Sequence, residues 1–296
     1  MVDGGSVTEA GDRGPHPVPL DSRTQLSRGG WSVAAYPEVG EAVVWWETVP
    51  QGDGDAVESS WARLSEDERA VLNRRRVEQR ARVQVRRYAV RNKLTRLVTL
   101  TYRCVACSLD PCGCGERLGP GDRQTVKRHV NRFLVALREA LGVEGLPYVY
   151  VVERGTKRTR RLHVHLLLSV DVDLEAFGEL VDEDTRAGGV WAHGRVNMRD
   201  RPQGSSMREQ ARSAARYLAK YVSKALGDED PEWAHSYERS QGYNVRQAGR
   251  RRLPVLADVL DLACVLLGVS LGELEWSWCD DWEEWFGPPT AVARLN

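Results

Sequence analysis

The stretch Arg-Leu-His-Val-His-Leu-Leu-Leu, residues 161–168, constrains this 296-residue chain more than any other. In an extended strand successive side chains alternate in direction, so His163 and His165 share one face while Leu162, Val164 and Leu166 take the other. Such a strand, read here as Leu162 to Val170, lays one face on a core and presents chemistry on the other. A second strand, Tyr148 to Glu153, precedes it. If residues 154–160 form the loop between them, Glu153 falls opposite His163 on the same face. Two neutral imidazoles and a carboxylate suit a divalent cation such as Mg or Mn, and could also hold Zn. His163, His165 and Glu153 are therefore the expected metal ligands, beside a basic loop carrying Arg154, Lys157, Arg158, Arg160 and Arg161.

Periodicity orders the elements around this hairpin. Leu97 to Tyr102 reads as a strand, Arg123 to Leu141 as a helix, Leu174 to Val181 as a short helix, Gly194 to Met198 as a strand and Met207 to Leu226 as a helix. The order β-α-β-β-α-β predicts an α+β fold: a ferredoxin-like, split βαβ antiparallel sheet with helices on one face. The other face would stay open to a substrate, and tails would flank the fold.

The formal charge of zero hides a segregation. Residues 1–60 hold 3 basic and 10 acidic side chains, residues 61–252 hold 38 and 24, and residues 253–296 hold 1 and 8. A basic block between acidic ends fits a nucleic-acid binder, because Lys and Arg displace counterions condensed on phosphate. Much of that charge lies after Ser-Glu-Asp-Glu at 65–68, an N-cap with acids in the first turn, in a helix running to about Lys93. Arg74, Arg75, Arg76, Arg80, Arg86 and Arg87 of this helix are expected to contact DNA, as are Lys157, Arg158, Arg160 and Arg161.

The last helix contains Ala-Arg-Tyr-Leu-Ala-Lys-Tyr-Val-Ser-Lys, residues 215–224. Tyr217 and Tyr221 are four apart and share a face, with Lys220 and Lys224 as a second such pair. Leu218 and Val222 would do the packing and leave the tyrosines facing outward. A phenol beside ammonium groups ionises more readily, and a phenolate aimed at a metal-bound phosphodiester is a nucleophile.

Taken together, Leu97 to Tyr102, His163-Val-His165 and Tyr217-Leu-Ala-Lys-Tyr221-Val-Ser-Lys224 resemble, in that order, the three motifs of the HUH endonucleases. More narrowly they resemble two-tyrosine rolling-circle replication initiators of the gene-A type found in small phages. The resemblance covers about residues 85–226. It implies metal-dependent nicking of single-stranded DNA at the origin of a plasmid or phage, through a 5′-phosphotyrosine intermediate that leaves a 3′-OH for a polymerase. By that likeness Tyr221 acts first and Tyr217 second, and Lys220 or Lys224 offsets negative charge. Conjugative relaxases of the superfamily carry a third histidine, and none extends the His163-Val-His165 motif here. No ATP-binding motif is present, so strand separation is left to a host helicase or a supercoiled template. Two other readings stay open: a two-tyrosine transposase with the same chemistry, and a non-catalytic nucleic-acid-binding regulator on the same fold.

Cys104, Cys107, Cys112 and Cys114 put four thiols within eleven residues. Four is the count of a structural zinc site, but the spacing is unusual, and reduced thiols in a loop are an equal expectation. The expected division is a disordered acidic tail over 1–30, a short segment of unknown role over 31–60 and the basic helix over 61–92. A catalytic domain over 93–226 carries the cysteine insertion at 104–114, and an acidic, Trp-rich extension covers 227–296. The Trp-rich end is expected to pack on the protein itself or dock a partner. With no membrane-length apolar run and no signal segment, the expected location is the cytoplasm.

Overall fold

A computed structural model of the chain describes residues 29–48, 64–102, 119–154, 162–169, 191, 193–199, 204, 206–226, 237–278 and 290–295. Several expectations fall outside these residues: most of the acidic tail, the cysteine cluster, the loop residues Lys157, Arg158, Arg160 and Arg161, and the short helix at 174–181. The chain divides into two compact units, Met1–Val57 with Gln247–Asn296, and Glu58–Arg246. The class is mixed α+β, with two antiparallel five-stranded sheets.

The first unit is built from β1 (Gly29–Tyr36), β2 (Glu41–Thr48), β8 (Ala248–Leu253), α4 (Leu256–Leu267), β9 (Leu274–Trp278) and β10 (Thr290–Leu295). Its strands run in the order β8-β1-β2-β10-β9. Trp31, Val33, Val44 and Ala293 face Val259, Ala263 and Cys264 of α4 to form a core. Trp276 packs against the same core, as expected for the tryptophan-rich end. The segments taken from the sequence as a short N-terminal stretch and a C-terminal extension are thus strands of one sheet, Trp31 pairing with Leu253 and Trp45 with Thr290.

The second unit opens with α1 (Glu66–Arg91), followed by β3 (Arg96–Tyr102), α2 (Arg123–Ala140), β4 (Tyr148–Arg154), β5 (Leu162–Leu168), β6 (Gly194–Arg199), α3 (Met207–Leu226) and the two-residue β7 (Glu238–Arg239). Ser65 caps α1 as expected: its hydroxyl accepts from the Glu68 N–H and the Glu68 carboxylate accepts from the Ser65 N–H. Asp122 caps α2, accepting from the Thr125 N–H at 2.8 Å. Asp122→Ala leaves that donor to water and is expected to cost about 1 kcal/mol. In a unit of this size the cost lowers Tm by about 2–4 °C, readable by calorimetry.

The strand order β6-β3-β5-β4-β7 places β5 between β3 and β4, so the β3-α2-β4 crossover is split by β5 in the expected way. The expectation of helices on one face is corrected. One face packs on α2 through Val98, Leu100, Val164, Leu166 and Leu168 against Val126, Val130, Phe133 and Leu137. The other is covered by α1 and α3, where Leu97, Val149, Val151 and Leu167 meet Val85, Tyr88, Ala89, Leu218 and Val222. The reason lies in β5: Leu166-Leu167-Leu168 abandons alternation, so that end of the strand is apolar on both faces and needs cover on both. The basic helix α1 is accordingly part of the packed unit, not a separate arm.

Candidate active site

Three cross-strand rows on the face beneath α1 and α3 explain where the site lies. Leu97, Leu167 and Val149 form the first row, Thr99, His165 and Val151 the second, and Thr101, His163 and Glu153 the third. The face changes from apolar to polar along the strands, so α3 can pack at one end and expose catalytic groups at the other. The register sets Glu153 directly opposite His163, as expected, but the loop bounds are corrected: Arg154 belongs to β4 and pairs with Leu162, whereas a loop of 154–160 would have set Glu153 against Arg161.

Each histidine is held from behind. The Thr99 hydroxyl lies 3.3 Å from His165 Nδ1 and the Thr101 hydroxyl 3.1 Å from His163 Nδ1, which fixes the rings with Nε2 as the atom available for chemistry. Sequence reasoning missed these two threonines, although Thr-Leu-Thr in β3 shows the same alternation as His-Val-His in β5. His165 Nε2 donates to Glu153 Oε2 at 2.8 Å, and Lys224 Nζ donates to Glu153 Oε1 at 2.7 Å. Burial opposes ionisation of Glu153, but the bonds from His165 and Lys224 outweigh it and hold the carboxyl at about 2. It is a carboxylate at any working pH.

α3 brings both tyrosines to this place. The Tyr221 ring stacks on His165, centroids 3.5 Å apart and planes at 19°, and the Tyr217 and Tyr221 hydroxyls are 2.8 Å apart. The expectation that the tyrosines face outward is corrected: both are half-buried against the core that Leu218 and Val222 fill, and Tyr221 turns down onto the histidine face. The expectation of a readily ionised phenol is corrected with it. Burial first, then the Tyr217 hydroxyl and the Glu153 charge, push the Tyr221 hydroxyl well above the ordinary tyrosine range. Lys224 does not reverse this because its ammonium is paired with Glu153 at 2.7 Å, and the Lys220 ammonium lies over the ring of Tyr217, 5.6 Å from its centroid. A further cation that sequence reasoning missed, Arg199 of β6, sits 4.6 Å over the Tyr217 ring.

Two of the three expected metal donors are spaced as ligands of one ion. Glu153 Oε2 and His165 Nε2 stand 2.8 Å apart, close to the roughly 3 Å between adjacent ligands held about 2.1 Å from one octahedral ion. His163 does not converge with them: its ring centroid is 6.2 Å from that of His165. Among the described residues no group of three His, Cys, Asp or Glu side chains gathers around one point. The structure thus assembles His165, Glu153, Lys224, Tyr217 and Tyr221, and leaves His163 one step aside. Of the arginines expected to meet DNA, Arg74, Arg75 and Arg80 are exposed on α1, while Arg76, Arg86 and Arg87 are half-buried.

Residues 95–226 match a family model of replication-associated proteins of the ORF2 type, a span that begins at β3 and ends with α3. No curated protein and no solved structure matches the chain. The family match supports a replication-initiator role for this segment, and with it binding of DNA at an origin. Among the described residues no helix is long and apolar enough to cross a membrane.

Proposed function

We propose that the unit Glu58–Arg246 nicks and rejoins single-stranded DNA at a replication origin through a 5′-phosphotyrosine, starting rolling-circle replication of a plasmid or phage. One observation carries this reading: Tyr221 lies on His165 with the Tyr217 hydroxyl 2.8 Å from its own. A nucleophile, a candidate metal ligand and a second nucleophile meet in one place. In the reaction Tyr221 Oη forms a bond to the scissile phosphorus while the P–O3′ bond breaks. The phenolic proton is lost and the departing O3′ ends as a hydroxyl, so atoms and charge balance. Rejoining is the reverse, a 3′-OH attacking the phosphotyrosine. A divalent cation such as Mg or Mn, held by His165 and Glu153, would supply Lewis acidity to the phosphate. Lys224 and Arg199 add positive charge around the tyrosines, where the phosphate must come. Tyr217 orients Tyr221 through their shared hydrogen bond and is placed for a second transfer that closes a circle. Duplex opening and extension of the 3′-OH fall to a host helicase and polymerase.

The test incubates the full chain with labelled single-stranded oligonucleotides tiled across the encoding replicon's origin, with Mn, with Mg and with chelator. Covalent cleavage product is expected with either metal and lost with chelator. His165→Ala should lower cleavage by on the order of 10²-fold while DNA binding stays within a few fold. Binding that persists with no cleavage under any metal would make the chain a regulator rather than a nickase.

A further inference from the structure

Away from the tyrosines, a groove of about 750 Å³ runs between α1 and the segment 237–244. Arg80 and Gln84 of α1 line one side, and Tyr237, Glu238, Arg239 and Asn244 the other. We infer that this groove binds the sugar-phosphate backbone of a single-stranded DNA segment outside the nucleotides at Tyr217 and Tyr221. The inference rests on the nicking function proposed above.

Strand alternation gives the groove its charge. In β7, Arg239 pairs with Val149 and Glu238 with Tyr150, so the two side chains take opposite faces of the sheet. Glu238 faces the α2 side, where its carboxylate is met by Arg123 at 2.9 Å and Lys127 at 3.4 Å. Arg239 faces the α1 side and lies 5.5 Å over the ring of Tyr88, a buried residue whose hydroxyl is bonded to Ser240. That contact holds the guanidinium in place without a carboxylate. Arg80 is exposed and, among the described residues, has no acidic partner. With the Glu238 carboxylate taken up by Arg123 and Lys127, two guanidiniums that have no acidic partner among the described residues border one groove and attract an anion.

The amides narrow the chemistry. Tyr237 donates its hydroxyl to Gln84 Oε1, which leaves the Gln84 amide its two N–H donors, and Gln241 and Asn244 are exposed at the rim. Guanidinium forks beside amide donors match phosphodiester and sugar oxygens. A polymer is favoured over a free nucleotide because the same unit carries the tyrosines proposed to cut single-stranded DNA.

The test measures binding of a fluorescent single-stranded oligonucleotide to the full chain by anisotropy across a salt series. Arg80→Gln with Arg239→Gln is expected to weaken binding at 0.15 M salt on the order of tenfold, and to reduce the log–log salt slope by about 1.4, two single-strand phosphate contacts. Arg138→Gln, an exposed charge on α2, is the control and should lose at most twofold. Arg80→Gln alone, at a solvent-exposed position that cannot disturb packing, should take about half the slope change. The inference is overturned if the double variant behaves as Arg138→Gln, or if millimolar deoxynucleoside monophosphate displaces the strand from the parent chain but not from the double variant. Failure of nicking by the parent chain would strike the proposed function alone, because the anisotropy arm reads the groove without any cleavage.

Discussion

Tyr221→Phe is expected to lower covalent capture of single-stranded DNA by on the order of 10³-fold or more, the scale of removing a nucleophile from a preorganised site. The substitution keeps the ring that stacks on His165 and removes only the hydroxyl, so the loss is chemical. The hydrogen bond to Tyr217 goes with it, at about 1 kcal/mol of stability, too little to unfold the unit. Tyr217→Phe has a different signature. First cleavage should persist within about tenfold, since Tyr217 orients the first nucleophile, whereas the second transfer, read as circular product, should vanish. Gel analysis of adduct and circle for the three chains checks both. Equal loss in the two variants would assign the tyrosines one joint role in the first step.

Leu218→Ala is expected to carry the largest cost to folding, about 3–4 kcal/mol, by the usual sum of lost transfer energy and cavity. Leu218 is fully buried and packs with the apolar part of the histidine face, between the turns that bear Tyr217 and Tyr221. The same cavity would loosen α3 on β4 and β5, so adduct formation should fall even where the chain remains folded. Urea unfolding reads the cost as a lower midpoint at unchanged slope. Val265→Ala, at a position 74% exposed on α4, is the control and should move nothing measurable.

Much of the site was legible because it is local. His-Val-His fixes two imidazoles on one face, the hairpin keeps Glu153 on that face, and Ser65 with Glu68 marks the start of α1. What escaped depends on partners far along the chain. β1 pairs with β8 across more than 200 residues, and Ala-Gly-Arg-Arg-Arg-Leu has no alternation to betray a strand, because β8 is a sheet edge whose arginines reach water. The orientation of the tyrosines was misjudged for a related reason. Tyr217 and Tyr221 each stand one residue, about 100° of helix, from Leu218 and Val222, a boundary that either face can claim until α1 and the sheet are in place.

The charge segregation also gains a structural meaning. Taking 58–246 in place of 61–252 transfers Arg250, Arg251 and Arg252 to the other unit and adds Glu58, so +14 becomes +10. The unit that carries the tyrosines is the basic one, and both acidic ends belong to the other. A polyanion is drawn to the unit proposed to cut it, and the acidic unit offers it little.

The most direct measurement is the mass of the adduct peptide. The parent chain, allowed to cleave an origin oligonucleotide and then digested with nuclease and protease, should yield a peptide bearing a 5′-phosphonucleotide on Tyr221, with Tyr217 labelled in the minority. An adduct on any residue other than these two tyrosines, or cleavage that leaves no covalent adduct at all, would contradict the account.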